Sequence, residues 1–488
     1  MPALTLFMVW LAMAVNGMLN HEIWRDEMRA LSIAIEAEGY SDLPSALKNE
    51  GHPLLWYVLL KCAYDLFHTT AVLPVLSFLF AAGIVFMLLF RTNLPFVICI
   101  PIIFGSWCLY EYGINCRNYG IAAFFFLLFA DSYARRPSAY LRHFIFLALA
   151  AQANVYATIM SMFACAWIMI NAPGKERISR KAVSGFLLFA LSCLAVAYVT
   201  YPDNDSLVLD KQLQRMENIG EIWNVGYGFG DLFYTWFDYS YGFITAMIIL
   251  SLMVFIPRPV TLILVYMAAV VMAFFSLCLR FNYIQHQGMW IYFYIAMLCI
   301  HYKDILAYTR SRRLGRYPVY IGLAAFVCIM GSGLFRARQS YGFDLLNPLS
   351  DSKGAGAWFN KHAKTGDVII SEPDYIMEPV MYYRYMKFYL PRENRFNSYV
   401  HFTKANDSFL SLKKLVHITD SFLNSGRQTF LVIKEQLDPG DSVFRYTYGK
   451  EFRIDSAALT DLNKRYLIAD SFRTSSFTDE QYYIYRRK

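Results

Sequence analysis

Charge is what this sequence has least of. Only 17% of its 488 residues are Asp, Glu, Lys or Arg, against about a quarter in a soluble chain, while 57% are hydrophobic. That balance excludes an ordinary soluble domain, and the long apolar runs that recur as far as Phe335 describe a polytopic membrane protein. The first run, from Leu4 to Leu19, lacks the basic start and small-residue cleavage site of a signal peptide, so it is expected to persist as a span. A disulfide framework and zinc-ligand spacing are missing as well. All nine cysteines precede Phe335, and most lie inside apolar runs, where a thiol behaves as a small hydrophobe. The tail has no G-x-G-x-x-G or P-loop stretch, which speaks against a nucleotide site there. The net charge of +8 needs no nucleic-acid partner, because the basic residues gather in loops between apolar runs.

Those loops orient the chain. "DSYARRPSAYLR" (131–142), "NAPGKERISRK" (171–181) and "HYKDILAYTRSRRLGRY" (301–317) are rich in Lys and Arg and are expected on the cytoplasmic side. Spans near 4–19, 71–90, 94–110, 117–131, two within 143–170, 182–201, 233–256, 259–279, 287–301 and one ending at Phe335 satisfy that constraint with about eleven crossings. The run "GHPLLWYVLLKCAYDLF" (51–67) is shorter than the roughly 20 residues a span needs. Lys61 and Asp65 also interrupt it, one helical turn apart and able to pair. A charge at bilayer depth costs on the order of 2.5–3.5 kcal/mol, so this segment is expected to lie in or dip into the outer leaflet. Residues 20–70 then form one external loop, and 109–120, 202–232, 280–288 and the tail share its side.

The expected fold is therefore an α-helical polytopic membrane domain over 1–335, followed by a small extracytoplasmic α/β domain over 336–488. In the tail, "GDVIIS", "MKFYL", "TFLVIKE" and "YYIYRR" read as strands, and 352–364 and 407–426 as amphipathic helices.

Four polar constellations fall on the external face. In "NHEIWRDEMRALSIA" (20–34), Trp24, Met28, Leu31 and Ile35 share one helical stripe, and Arg25, Arg29, Ser32 and Glu36 another. This predicts an amphipathic helix on the membrane interface, its arginines free to face headgroups, with Asp26 and Glu27 in a first turn that suits acids. "EGHPLLW" offers His52, with Pro53 expected at the first helical position. "YEYGINCRNYG" offers Glu111, Arg117 and Tyr119; the external arginine needs an anion, either Glu111 or a phosphate. "RFNYIQHQG" adds Arg280 and His286. Taken together, carboxylates, arginines and histidines on one face match a general base beside an anion cradle, the parts that glycosyl transfer from a lipid-phosphate sugar requires.

An acidic "D-E" loop after the first span, then His-Pro-x-Leu, then Arg-x-Tyr ahead of a span resemble the GT-C superfamily of membrane glycosyltransferases. Within it, the pattern is similar to the branch of protein O-mannosyltransferases and bacterial aminoarabinose transferases. "WRDEMRALSIA", "EGHPLLWYVLL", "YEYGINCRNYGIA" and "HQGMWIYFYIAMLCI" look most like bacterial members with a short extracytoplasmic tail. The resemblance is firm over residues 1–130, fainter to 300 and weak in the tail. It implies that Asp26 is the catalytic base and that Glu27 orients it, binds acceptor or contacts a divalent cation (Mg or Mn) where one is used. It also implies that Arg117 and Tyr119 hold the donor phosphate, with Arg280 and His286 beside them. His52 and Glu111 are candidates for acceptor or sugar binding, although the family's second proline after the histidine is Leu54 here. The implied donor is a polyprenyl-phosphate sugar, the acceptor a glycan, lipid or protein, and the location the outer face of a bacterial inner membrane. The alternative class is a transporter or flippase of a lipid-linked anion, which would place polar residues deep in several spans and could show inverted repeats. No internal repeat is visible.

Overall fold

The computed structural model describes residues 1–206, 241–279, 284–404, 406, 408–446, 449–475 and 480–488. The expected loop 202–232 from residue 207 onward, and the first part of the expected span 233–256, lie outside them.

The chain begins with α1 (Pro2–Asn20), α2 (Arg25–Glu36) and α3 (Leu55–Phe67). It continues through α4 (Val72–Phe86), extended by a π-helical turn to Arg91, and α5 (Phe96–Ile103), followed by a second π-helical stretch, Ser106–Glu111. Then come α6 (Tyr119–Arg135), α7 (Tyr140–Ala151), α8 (Val155–Asn171), α9 (Arg180–Thr200), α10 (Tyr241–Leu252), α11 (Pro259–Leu279), α12 (Ile284–Ser311) and α13 (Arg316–Leu346). Four of these are long and apolar enough to cross a membrane: Pro2–Asn20, Val72–Arg91, Arg180–Thr200 and Arg316–Leu346. Others are too short by themselves; the 12 residues of α7 rise only about 18 Å against a hydrocarbon core of about 30 Å.

α12 is the inner helix. Every residue from Ile284 to Leu298 is buried, and from Met289 onward this stretch is apolar or aromatic on all sides, as a buried helix must be. Its start is pinned by Trp107, whose Nε1 donates to the Ile284 carbonyl at 2.8 Å, and by Tyr112, whose hydroxyl donates to the Gln285 carbonyl at 2.9 Å. Only glycine fits at 288, because a Cβ there would lie 2.0 Å from the Tyr112 hydroxyl. The expected span 94–110 is broken: Pro101 lies inside α5, and the chain rewinds as a π-helix from Ser106.

The segment expected to lie at the membrane surface forms the 13-residue helix α3. Lys61 contacts Asp65 at 3.7 Å, but it is buried and donates to the Ala37 carbonyl at 2.8 Å, so it ties α3 to the end of α2. Pro53 does not occupy the first helical position; the helix begins at Leu55 after Leu54.

The apolar run ends near Phe335, yet the helix does not. α13 continues to Leu346, and the α/β domain starts with α14 (Ser352–His362). Loss of hydropathy marks a change of environment and not a helix stop, and "RARQSYGFDLL" holds no proline and only one glycine. The domain's main sheet runs β3-β2-β1-β5-β9-β8. Its centre is β1 (Val368–Glu372), parallel to β2 (Phe388–Leu390) and β5 (Thr429–Ile433), and all three are buried along their length. β3 (Arg395–Asn397), β8 (Tyr466–Phe472) and β9 (Tyr482–Arg487) pair antiparallel. The expected helix 407–426 opens instead with β4 (Phe409–Ser411), and α15 (Leu412–Asn424) follows. β4 joins β6 (Val443–Arg445) and β7 (Glu451–Arg453) in a second small sheet, and α16 (Ser456–Arg465) precedes β8.

The largest departure concerns α2. Its polar stripe does not face headgroups; the α/β domain covers it. Arg29 donates through Nε and Nη2 to both oxygens of Glu50 at 2.8 and 2.6 Å, through Nη1 to Glu378 at 2.8 Å, and to the Val400 carbonyl at 2.8 Å. Glu36 accepts from Lys387 at 2.6 Å and from the Tyr385 hydroxyl at 2.8 Å. The Arg25 amide donates to Glu480 at 3.0 Å, and its guanidinium lies 4.7 Å from the Tyr375 ring. A stripe of charges can be buried when the counter-charges arrive from far along the chain.

Replacing Arg29 by Met strands Glu50 and Glu378 without their cation. A loss of about 3–5 kcal/mol is expected for breaking such a buried pair. Faster limited proteolysis at 347–351 and a lower Tm in detergent should report it; wild-type resistance would show that the clamp does not hold the domain.

Candidate functional site

The site grows from the first turn of α2. Trp24 precedes the helix in extended conformation, and Glu27 reaches back to accept its amide at 3.0 Å. That bond turns Glu27 inward and leaves Asp26 facing the other way. Glu27 is fully buried. Its Oε2 also meets His21 Nε2 at 3.0 Å, and its Oε1 accepts the Cys116 amide at 2.5 Å. His21 continues through Nδ1 to Asp344 at 2.7 Å, and the Tyr110 hydroxyl donates to the same Asp344 oxygen at 3.2 Å. One buried chain of polar groups therefore links the ends of α1 and α13, the head of α2 and the turn before α6. Burial opposes a charge on His21, but the carboxylates of Glu27 and Asp344 outweigh it and raise its pKa to about 10.

Glu27 is the neighbour of Asp26, and Cys116 is the neighbour of Arg117. The hydrogen bond from the Cys116 amide to Glu27 thus sets the second pair: Asp26 Oδ2 lies 3.6 Å from Arg117 Nη1, with Arg25 Nε 3.7 Å from Oδ1. Asp26 keeps 38% of its side chain exposed, against 15% for Arg117. The guanidinium of Arg117 stands between two aromatic rings, 5.7 Å from Trp24 and 5.6 Å from Tyr119. His286 stacks on Tyr156 at 4.4 Å and lies 5.5 Å from the Tyr119 ring. His52 sits in the field of Arg117, Glu50, Asp26 and Arg29; burial first, then the charge of Arg117, lower its pKa to about 4. It is a neutral imidazole at physiological pH, able to donate one hydrogen bond and accept another.

The structure therefore brings Asp26, Arg117, Tyr119, His52 and His286 into one neighbourhood and separates two other candidates from its open side. Glu27 is turned away from that open side; its oxygens accept from three donors, and it positions the pair beside it. Glu111 is buried beneath, held by Asn115 Nδ2 at 3.2 Å and by the field of Arg336. The anion that Arg117 meets is Asp26 and not Glu111. Arg280 lies outside the described residues. Both oxygens of Glu27 already accept from protein donors, and no cluster of three metal-ligating side chains is found among the described residues.

Sequence reasoning missed His21, Asp344, Glu50 and Glu378. His21 lies six positions before Glu27, a spacing with no helical meaning, and Asp344 arrives from the far end of α13. Comparisons with models of protein families, with curated proteins and with solved structures find no match to this chain.

Two measurements test the division of labour. Glu27→Gln should lower the Tm in detergent strongly, on the order of 3 kcal/mol, because His21 loses its carboxylate, whereas Asp26→Asn should leave it nearly unchanged. Equal effects would overturn the assignment. The pH dependence has a definite sign, since His21 binds its proton more tightly in the folded state. Its stabilisation is complete below the ordinary value of 6.5 and is lost as pH rises through about 10, so Tm should fall across that window in the wild type and much less in His21→Leu.

Proposed function

We propose that this chain is an inverting glycosyltransferase that moves a sugar from a polyprenyl-phosphate donor to an acceptor on the outer face of a bacterial inner membrane. The observation that carries the reading is the Asp26–Arg117 pair: an accessible carboxylate beside a guanidinium held between two rings, with neutral His52 close by. In this reading α1 and α4 through α13 each make one crossing, eleven in all, and the site and the α/β domain are extracytoplasmic.

The chemistry follows from the groups. Asp26 takes the proton from the acceptor hydroxyl or amine as its lone pair attacks the anomeric carbon. The bond from that carbon to the phosphate oxygen breaks on the opposite face, and the phosphate leaves with the lipid. Arg117 meets the charge that develops there. Its contact with Asp26 at 3.6 Å is longer than the roughly 2.7–2.9 Å of a hydrogen-bonded ion pair, so both groups have capacity for substrate. Neutral His52 can orient a sugar hydroxyl without adding charge. The GT-C resemblance points the same way.

Sugar transfer from a synthetic polyprenyl-phosphate donor tests it. Asp26→Asn should reduce turnover by roughly 10²–10⁴-fold with donor binding retained. Arg117→Ala should raise the donor KM by roughly ten- to a hundredfold. Full activity in Asp26→Asn removes the base; movement of lipid-linked anion across vesicles without transfer would favour the transporter instead.

A further inference from the structure

We propose that the opposite end of the helical domain carries a separate binding site for an anionic phospholipid of the cytoplasmic leaflet. α6 begins at Tyr119 beside Arg117 and ends at Arg135, about 25 Å away along the helix. At that far end the chain forms a cavity of about 260 Å³ lined by four arginines, Arg91, Arg135, Arg136 and Arg142, around a single carboxylate, Asp131. They converge from three places: the π-helical end of α4, the end of α6 and the start of α7. Asp131 holds two of them, Arg91 Nη2 at 3.0 Å and Arg135 Nε at 2.7 Å. Arg136 and Arg142 have no carboxylate partner among the described residues. The cavity therefore holds a surplus of guanidinium groups, the fork-shaped donors that match phosphate oxygens.

A second, shallower cavity of about 490 Å³ adjoins it and shares Arg91, Leu128 and Asp131. Its other walls are apolar, with Phe7 of α1, Phe86 of α4 and Phe124 of α6 among them. Basic loops alone are common on this side of membrane proteins and would carry no site. Here the cationic cavity opens directly onto an apolar groove between helices, so the pair has the polarity of an anionic lipid: a phosphate headgroup among arginines and an acyl chain along the phenylalanines. Basic pockets between helices on this side suit such headgroups. A free phosphate would use the arginines but leave the groove unexplained.

The inference rests on the membrane reading and not on glycosyl transfer, so either can fail alone. The test uses the full-length protein in a mild non-ionic detergent, with long-chain phosphatidylglycerol, phosphatidylcholine of the same chains, glycerophosphoglycerol without chains, and inorganic phosphate as separate probes. Bound lipid is counted by native mass spectrometry, and thermal shift is read in parallel. Phosphatidylglycerol should bind and raise the Tm, with phosphatidylcholine much weaker. The double variant Arg136→Gln/Arg142→Gln should bind phosphatidylglycerol roughly tenfold or more weakly. Equal retention of the two lipids, retention unaffected by the double variant, or an equal shift from either chain-free probe overturns the proposal. Should the double variant not fold, the wild-type selectivity between the two lipids decides by itself.

Discussion

The site depends on one buried carboxylate, Glu27. Its oxygens accept from His21, from the amide that opens α2 and from the amide of Cys116. The three donors come from three places in the chain, the end of α1, the start of α2 and the turn before α6. A charge so deeply buried is tolerated only when it is fully met, and a vacancy among its partners would cost several kcal/mol. The geometry is therefore stiff, and the stiffness passes to the neighbouring residues Asp26 and Arg117, which form the more open pair. Glu27, adjacent to the candidate base, determines where Asp26 stands.

His21 carries that constraint into the rest of the fold. Charged between Glu27 and Asp344, it joins the first long helix to the last one, and Asp344 in turn receives Tyr110. A second clamp lies two residues further along α2, where Arg29 takes up Glu50 and Glu378 together. α2 is thus held on its apolar side by the helical domain and on its polar side by the α/β domain. The tail is part of the wall behind the site and not an appendage beside it.

The class of fold is legible in the chain because hydropathy and period are local properties. Long apolar runs, the helix at Asp26, the paired Lys61 and Asp65 and the central strands of the tail all follow from residues near one another. Short strands such as β3, β4 and β6 are not legible, since three residues carry little period and their pairing is decided by distant partners. The end of α13 escapes a reading by hydropathy for a related reason: the apolar run stops where the surroundings change, while the helix continues to Leu346. In the site, Asp26, Arg117, Tyr119, His52 and His286 are legible as residue types on one face. The roles of Glu27 and Glu111 are not, because both are set by burial.

By itself the sequence determined that this is a largely helical, membrane-seeking chain with an α/β tail. Hydrophobic period and loop charge suffice for that, because each acts over a few turns. Only the tertiary structure decided which of two adjacent acids faces outward, which anion meets Arg117 and what covers the charged stripe of α2. Those outcomes rest on hydrogen bonds between residues up to hundreds of positions apart, such as Arg29 with Glu378 and His21 with Asp344. A buried charge goes where its partners are, and the partners are brought together only by the fold.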